Sequence, residues 1–271
     1  MASKVFYVEM QVEDCACAIT LNGAPLVDRR GRPPGSFSAN MPVSEWVVSG
    51  DNTLGAQIVA VGDAPRLSAR LREGQLGQDP NADADPILGQ FELTVPDAPD
   101  SPLSPRAILD AGAPIELEAV AAAQHGWGQW YWETAPVFGN DRRSRQDLLD
   151  YLTAIHGTLS SGAIDPFLDT CRIKFSDIAL CYGPALPAIR QEFGQAFNHI
   201  RGQPKFRLAP IDPRSVDFRV HCDHRVVEPV DRETGAPAIR EHEDVGGLGW
   251  ALPLMIGRLD AYRSDQLAII R

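Results

Sequence analysis

Apolar and polar side chains alternate with a period of two along much of the first hundred residues. In residues 5–12, VFYVEMQV, one face carries Phe6, Val8, Met10 and Val12. Residues 54–60 repeat the alternation, and Asn22-Gly23 is the dipeptide most typical of a tight hairpin turn. Because several short strands follow one another without a helical pattern, the sequence predicts an antiparallel β-sandwich domain over residues 1–100.

Two neighbouring stretches give more local expectations. Residues 66–73, RLSARLRE, alternate between apolar and polar positions. We therefore expect Leu67, Ala69 and Leu71 to face inward and the arginines, Arg72 among them, to face water. Residues 74–86, GQLGQDPNADADP, are polar, acidic and rich in Gly and Pro, a composition typical of a mobile loop.

The periodicity changes after a proline-rich segment. Residues 95–106, VPDAPDSPLSPR, contain four prolines and predict a boundary between domains. We place the linker at residues 101–113 and a second domain at residues 114–271.

In that second domain, apolar residues at helical spacing predict helices over 144–159, 165–183 and 185–202. In the third helix, the predicted apolar stripe begins at Leu186. Alternating strands follow, most clearly in residues 215–222, SVDFRVHC, and in their partner at 225–230. Helices followed by an antiparallel meander are typical of an α+β domain, so the predicted fold has two domains, an all-β sandwich and then helices packed on a curved antiparallel sheet.

Each predicted domain resembles a known fold family. Residues 19–26, ITLNGAPL, followed by residues 42–59, PVSEWVVSGDNTLGAQIV, resemble the galactose-binding-like jelly-roll sandwiches that accompany many glycoside hydrolases, over about residues 5–95. The order of helices and strands over residues 114–271 resembles the cone-shaped folds related to nuclear transport factor 2. The second resemblance implies that helices close the concave face of a curved sheet.

The composition and charge of the chain exclude several classes of function from the expectation. The chain has 25 basic and 36 acidic residues, a formal net charge of -11, and its basic residues are scattered, so nucleic acid is excluded as an expected partner. The N-terminal residues include no long apolar run, so we expect no membrane span and a cytoplasmic location. Five widely spaced cysteines indicate reduced, buried thiols, and we expect no cofactor.

The segment 125–133, HGWGQWYWE, holds three of the five tryptophans. On a strand, Trp130 and Trp132 would share one face while Tyr131 points away, with Trp127 preceding them. These rings either pack in the interior or form a platform for a sugar or a protein partner. We expect packing and keep the binding role as the alternative.

Motifs for catalysis are absent from the sequence, including the phosphate-binding loop, the dinucleotide fingerprint and the nucleophile elbow. If the second domain were a pocket enzyme of the isomerase or hydrolase type, His156, Asp177 and Tyr182 would be its candidate acid-base residues. His221 and His224 are too few for a metal site, since strand alternation sends Cys222 to the opposite face from His221, and His242 is distant.

These observations favour a non-enzymatic binding protein whose partner is another protein, for example an immunity or adaptor protein that masks a toxin or effector. The alternatives are the pocket enzyme and a carbohydrate-binding protein with a sugar or another small molecule as ligand.

Overall fold

A computed structural model describes residues 4–81, 83–95, 103–242, 249–260 and 266–271. The chain divides into two compact units, Met1–Gln129 and Trp130–Arg271.

The first unit is built on one six-stranded antiparallel sheet. Its strands are β1 (Lys4–Leu21), β2 (Ala24–Asp28), β3 (Gly35–Pro42), β4 (Gly50–Gln75), β5 (Ile87–Glu92) and β6 (Ile115–Ala123), and the helix α1 (Pro105–Asp110) precedes β6. The two long strands β1 and β4 pair along almost their whole length. β2 and β3 extend the sheet beyond β1, while β5 and β6 extend it beyond β4.

The sheet folds over on itself. β5 pairs with one end of β4, placing Gly89 opposite Leu71, and β6 pairs with the other end, placing Ala121 opposite Asn52. In a straight strand these two positions of β4 would be about 60 Å apart. Nevertheless, a Cβ atom added to Gly89 would lie 2.7 Å from the Cβ of Ala121, so β4 must turn back along its length. The register of β1 also shifts around Asp14, whose φ is 50°.

The predicted alternation accounts for much of the buried face of this sheet. The buried side chains include Phe6, Val8, Met10, Val12, Leu67, Ala69 and Leu71. The antiparallel β structure predicted for this part of the chain is therefore confirmed, in the form of one folded sheet.

Arg72 departs from the pattern, because it is buried although we expected it to face water. Its Nε donates to Glu9 Oε2 at 2.6 Å and its Nη1 donates to the carbonyl of Asp85 at 2.8 Å. The residues that follow β4 thus cover Arg72.

The acidic segment 74–86 is fixed to the sheet at Asp85. Tyr7 Oη donates to Asp85 Oδ2 at 2.8 Å, and the amide of Asn81 donates to the same oxygen at 2.8 Å. Burial and the hydrogen bond to Asp85 raise the pKa of Tyr7 to about 12. This segment was predicted to be a mobile loop, and part of it instead forms an ordered turn; Ala82 lies outside the described residues.

The two motifs that carry the sandwich resemblance meet at a pair of amides. Asn22 Nδ2 donates to Asn52 Oδ1 at 2.8 Å and to the carbonyl of Trp46 at 2.7 Å. Asn52 is fully buried, and its own Nδ2 donates to the carbonyls of Val48 and Gly50. The Asn-Gly and Gly-Asp-Asn turns therefore have a structural role in holding the loops at this end of the sheet.

The division between the units falls after Gln129, not at the predicted linker 101–113. Ser104 caps α1 by accepting from the amide of Ala107 at 3.3 Å, and β6 completes the sheet of the first unit. Residues 115–123 therefore belong with the preceding strands, because their pairing partner is β4. Residues 96–102 of the proline-rich segment lie outside the described residues.

The second unit contains helices followed by small antiparallel sheets. The helices are α2 (Tyr131–Thr134), α3 (Arg142–Ser161), α4 (Ile164–Thr170), α5 (Arg172–Tyr182) and α6 (Leu186–Arg201). The strands are β7 (Val216–His221), β8 (Val226–Asp231), β9 (Ile239–Arg240), β10 (Ala251–Leu252), β11 (Ile256–Arg258) and β12 (Leu267–Ile269). One sheet has the order β12-β11-β8-β7, and β9 pairs with β10.

The helices follow the predicted apolar stripes. α3 buries Leu148, Leu152, Ile155 and Leu159 on one face. The second predicted helix is divided into α4 and α5 at Cys171, whose ψ of 7° interrupts the helical conformation. Side chains of all four longer helices and of the sheets form a common core. No helix in the described parts of the chain is long and apolar enough to cross a membrane.

Candidate binding surfaces

The tryptophans nearest α2 are interior residues. Trp130 is 2% exposed and Trp132 is 6% exposed, and the segment that carries them forms a helical turn where we considered a strand. Tyr131 lies on the same turn, and its Oη donates to the carbonyl of Arg258 at 2.7 Å. Burial raises the pKa of this tyrosine. Trp130 and Trp132 therefore pack and do not present a platform of two exposed rings.

Trp127 belongs to the first unit and is partly buried. Its ring stacks on His125, with 4.8 Å between ring centroids, and contacts the edge of Phe6 at 5.9 Å. The amide of Trp127 donates to His125 Nδ1 at 3.3 Å, while His125 Nε2 lies 3.0 Å from the carbonyl of Val47. Both ring nitrogens of His125 therefore have backbone partners. The four aromatic residues of the segment thus fall in two separate units.

Two of the candidate acid-base residues, His156 and Asp177, have contacts in different parts of the second unit. His156 Nε2 lies 2.8 Å from the carbonyl of Ala209, and its Nδ1 lies 3.5 Å from Ser160 Oγ. Asp177 accepts from Arg271 Nη1 at 2.8 Å in an ion pair that is largely buried. Tyr182 is the last residue of α5. The contacts of His156 and Asp177 connect α3 and α5 to other parts of the second unit.

His221 ends β7, and His224 lies in the turn that follows it. His221 Nε2 lies 3.1 Å from Glu228 Oε2, and the turn passes through Cys222, Asp223 and His224, which all have positive φ. Burial raises the pKa of Cys222 to about 12, which keeps its sulfur protonated. Among the residues that the structure describes, no three His, Cys, Asp or Glu side chains are grouped so that they could hold a metal ion.

An exposed apolar surface lies where α5 ends and α6 begins. Leu180 is 50% exposed, Leu186 is 43% exposed, and every residue of 183–188, GPALPA, is exposed. No charged residue occurs between Asp177 and Arg190. We call Leu180 together with residues 183–188 the apolar turn.

The sequence pattern did not predict the apolar turn, because Leu186 fits the apolar stripe of the predicted helix and was therefore assigned to the core. The helix starts at Leu186 after an extended Ala185, so this side chain extends beyond the core that buries Ile189. The signal that could have revealed the surface is the absence of charge over residues 178–189, combined with two prolines at a helix junction.

Comparison with known proteins identifies no relative. The chain matches no protein-family model, no curated protein and no solved structure. Any function must therefore be inferred from the surfaces and contacts of the molecule itself.

Proposed function

We propose that this protein is a non-enzymatic binding protein that docks on another protein through the apolar turn. The observation that carries the proposal is the exposure of Leu180 and Leu186 within a stretch that has no charged side chain. Exposed apolar side chains are costly to leave in water, at about 25 cal/mol per Å². Such surfaces are typical of sites that another molecule covers.

The occupant that fits best is a concave apolar pocket on a different protein. The apolar turn has seven residues, whereas each side of a standard interface contributes roughly 20 to 30. It is too small to hold two copies of this chain together, and a net charge of -11 opposes both self-association and contact with an anionic membrane. Two exposed leucines on a short turn instead suit an anchor that inserts into a pocket.

An immunity or adaptor protein would use such an anchor to cover a functional pocket of its target. The resemblances to galactose-binding-like sandwiches and to folds related to nuclear transport factor 2 stay part of the proposal. The antiparallel sheet of the first unit and the helix-and-sheet arrangement of the second are compatible with them in general terms.

Photo-crosslinking tests the proposal. A photoreactive amino acid would be placed at position 186 of the full chain and irradiated in the cells that naturally produce the protein. We expect one discrete adduct with a different protein, identified by mass spectrometry. The same probe at Thr153, an exposed position on α3, is the matched control and should give no such adduct.

Reconstitution then decides whether the contact is specific. The purified partner should bind the wild-type chain and should lose binding to the double variant Leu180→Glu with Leu186→Glu. Because both side chains are exposed, the variant should keep its stability to within roughly 0.5 kcal/mol. Adducts only between copies of this chain, or unchanged binding by the folded double variant, would refute the proposal.

A further inference from the structure

Arg258, at the end of β11, is a buried cation. It is 6% exposed, and its guanidinium lies 4.9 Å from the centre of the Phe138 ring. Nη2 donates to Ser144 Oγ at 3.3 Å, whereas Nε has no hydrogen-bond partner. Arg258 forms no ion pair with an acidic side chain of the described residues. Burial of an arginine that has no ion-pair partner among the described residues is unfavourable, so this position favours the binding of an anion.

The N-terminus of α3 lies at the same place. Ser144, which contacts Arg258, is the third residue of this 20-residue helix. Its first turn holds Arg142, Arg143 and Arg145 and no acidic residue, although the helix dipole disfavours cations there. Arg142 and Arg143 are exposed, so their charges can face a ligand. A helix N-terminus with arginines around it is a favourable environment for an anion.

The polar neighbours of Arg258 neutralise only part of the positive charge that the arginines bring to this place. Asp141 caps α3, accepting from the amide of Ser144 at 2.9 Å and from its hydroxyl at 2.8 Å. These hydrogen bonds lower the pKa of Asp141 and keep it ionised. Arg145 is directed elsewhere, because its Nη2 donates to the carbonyl of Val216 at 2.7 Å. Arg258 and the two exposed arginines of the first turn, Arg142 and Arg143, thus outnumber the capping carboxylate of Asp141, which favours a ligand with negative charge.

We propose that Arg258, Ser144 and the first turn of α3 form a binding site for a phosphoryl group, carried either by free phosphate or by a phosphate monoester. Arg258 supplies a preorganised donor fork, which fits phosphate oxygens better than a lysine would. Arg142 and Arg143 supply the outer positive charge. The site is distinct from the apolar turn and does not depend on the function proposed for it.

Calorimetric titration of the full chain tests the site. Inorganic phosphate and phenyl phosphate would be titrated at constant ionic strength, set with chloride. We expect binding at concentrations up to about 1 mM, and a loss of affinity of roughly tenfold or more in Arg258→Gln. Binding of inorganic phosphate would show that free phosphate is a sufficient ligand. Binding of phenyl phosphate alone would show that the ligand is a phosphate monoester. Arg172→Gln, an exposed arginine on α5, is the control and should bind as the wild type does.

A second variant keeps the proposal testable if Arg258→Gln does not fold. Arg142→Gln with Arg143→Gln alters only exposed side chains and should fold normally, yet it should weaken binding by roughly threefold or more. If Arg258→Gln is unfolded, this double variant decides the outcome alone. The proposal would be wrong if neither probe bound the wild type, or if the folded variants bound phosphate with unchanged affinity.

Discussion

Trp130 fills a large part of the interior near α2, since only 2% of it is exposed. Replacing a buried aromatic residue with alanine leaves a cavity and removes its packing contacts. We therefore expect Trp130→Ala to lower the free energy of unfolding by roughly 3 to 5 kcal/mol, measured by urea denaturation. A loss below about 1 kcal/mol would show that the ring is not packed as described.

Three buried groups of the first unit make its stability sensitive to alkali. Burial is the largest cause that raises the pKa of Cys15 to about 11 and the pKa values of Cys17 and Tyr7 to about 12. A raised pKa in the folded state contributes stability below the unfolded pKa, and this contribution is lost as the pH rises. Because unfolded thiols and phenols titrate near pH 9 to 10, we expect stability to fall progressively from there to about pH 12.

The measurement is the denaturation midpoint as a function of pH. Cys17→Ala provides the control, because removing one of these thiols should make the decline less steep. Equal slopes for the variant and the wild type would contradict the assignment of Cys17 as a group that resists ionisation.

At the level of single residues, the sequence predicted burial well wherever one regular pattern determined it. Phe6 and Leu152 are buried because the strand or helix period alone sets their direction. Arg72 and Leu186 were assigned to the wrong environments. The first is covered by a segment that folds back over the sheet, and the second lies at a helix start beyond the core. Both outcomes depend on tertiary contacts that a local period does not contain.

At the level of elements, two glycines weaken helices that the structure shows to be regular. Gly157 lies in α3 with nothing within 4 Å of an added Cβ, and Gly194 lies in α6 where an added Cβ would meet Leu168 at 3.5 Å, an ordinary contact. Alanine restricts the unfolded chain more than glycine does. We expect Gly157→Ala and Gly194→Ala each to stabilise the protein by roughly 0.5 to 1 kcal/mol in thermal unfolding.

Gly162 provides the matched comparison, because it ends α3 with a φ of 80°. A Cβ atom there would overlap the guanidinium of Arg201. Gly162→Ala should therefore destabilise the protein. Stabilisation by this substitution would show that the helix ends differently.

The predicted elements also show that a local pattern can locate a helix or strand without predicting its tertiary partner. The helices α3 and α6 were located from their apolar stripes. β6 has visible alternation, yet its sequence does not reveal that it pairs with β4, more than fifty residues earlier. The proposed surfaces depend on the same kind of information, since Arg258 and Ser144 are 114 residues apart in the chain.

At the level of the whole molecule, the position of β6 predicts which fragment folds. A fragment of residues 1–129 contains every strand of the first sheet, whereas a fragment of residues 1–113 lacks β6 and exposes the edge of β4. We expect the longer fragment to unfold cooperatively and the shorter one to aggregate or remain unfolded. Circular dichroism melting compares them, and equal stability of the two would place the boundary at the proline-rich segment instead.

The long pairing of β1 with β4 also shapes how the first unit is made in the cell. Lys4 pairs with Gln75, and the same two strands continue to Leu21 and Leu54, so both arms of the folded sheet share one pair of strands. During synthesis, β1 can pair with β2 and β3 early, but its full pairing with β4 has to wait until most of β4 has left the ribosome. Contacts between such distant residues make folding slow, and the pairing of Lys4 with Gln75 requires all of β4. The nascent chain thus carries β1 with one unpaired edge throughout this interval, when it most needs protection by a chaperone.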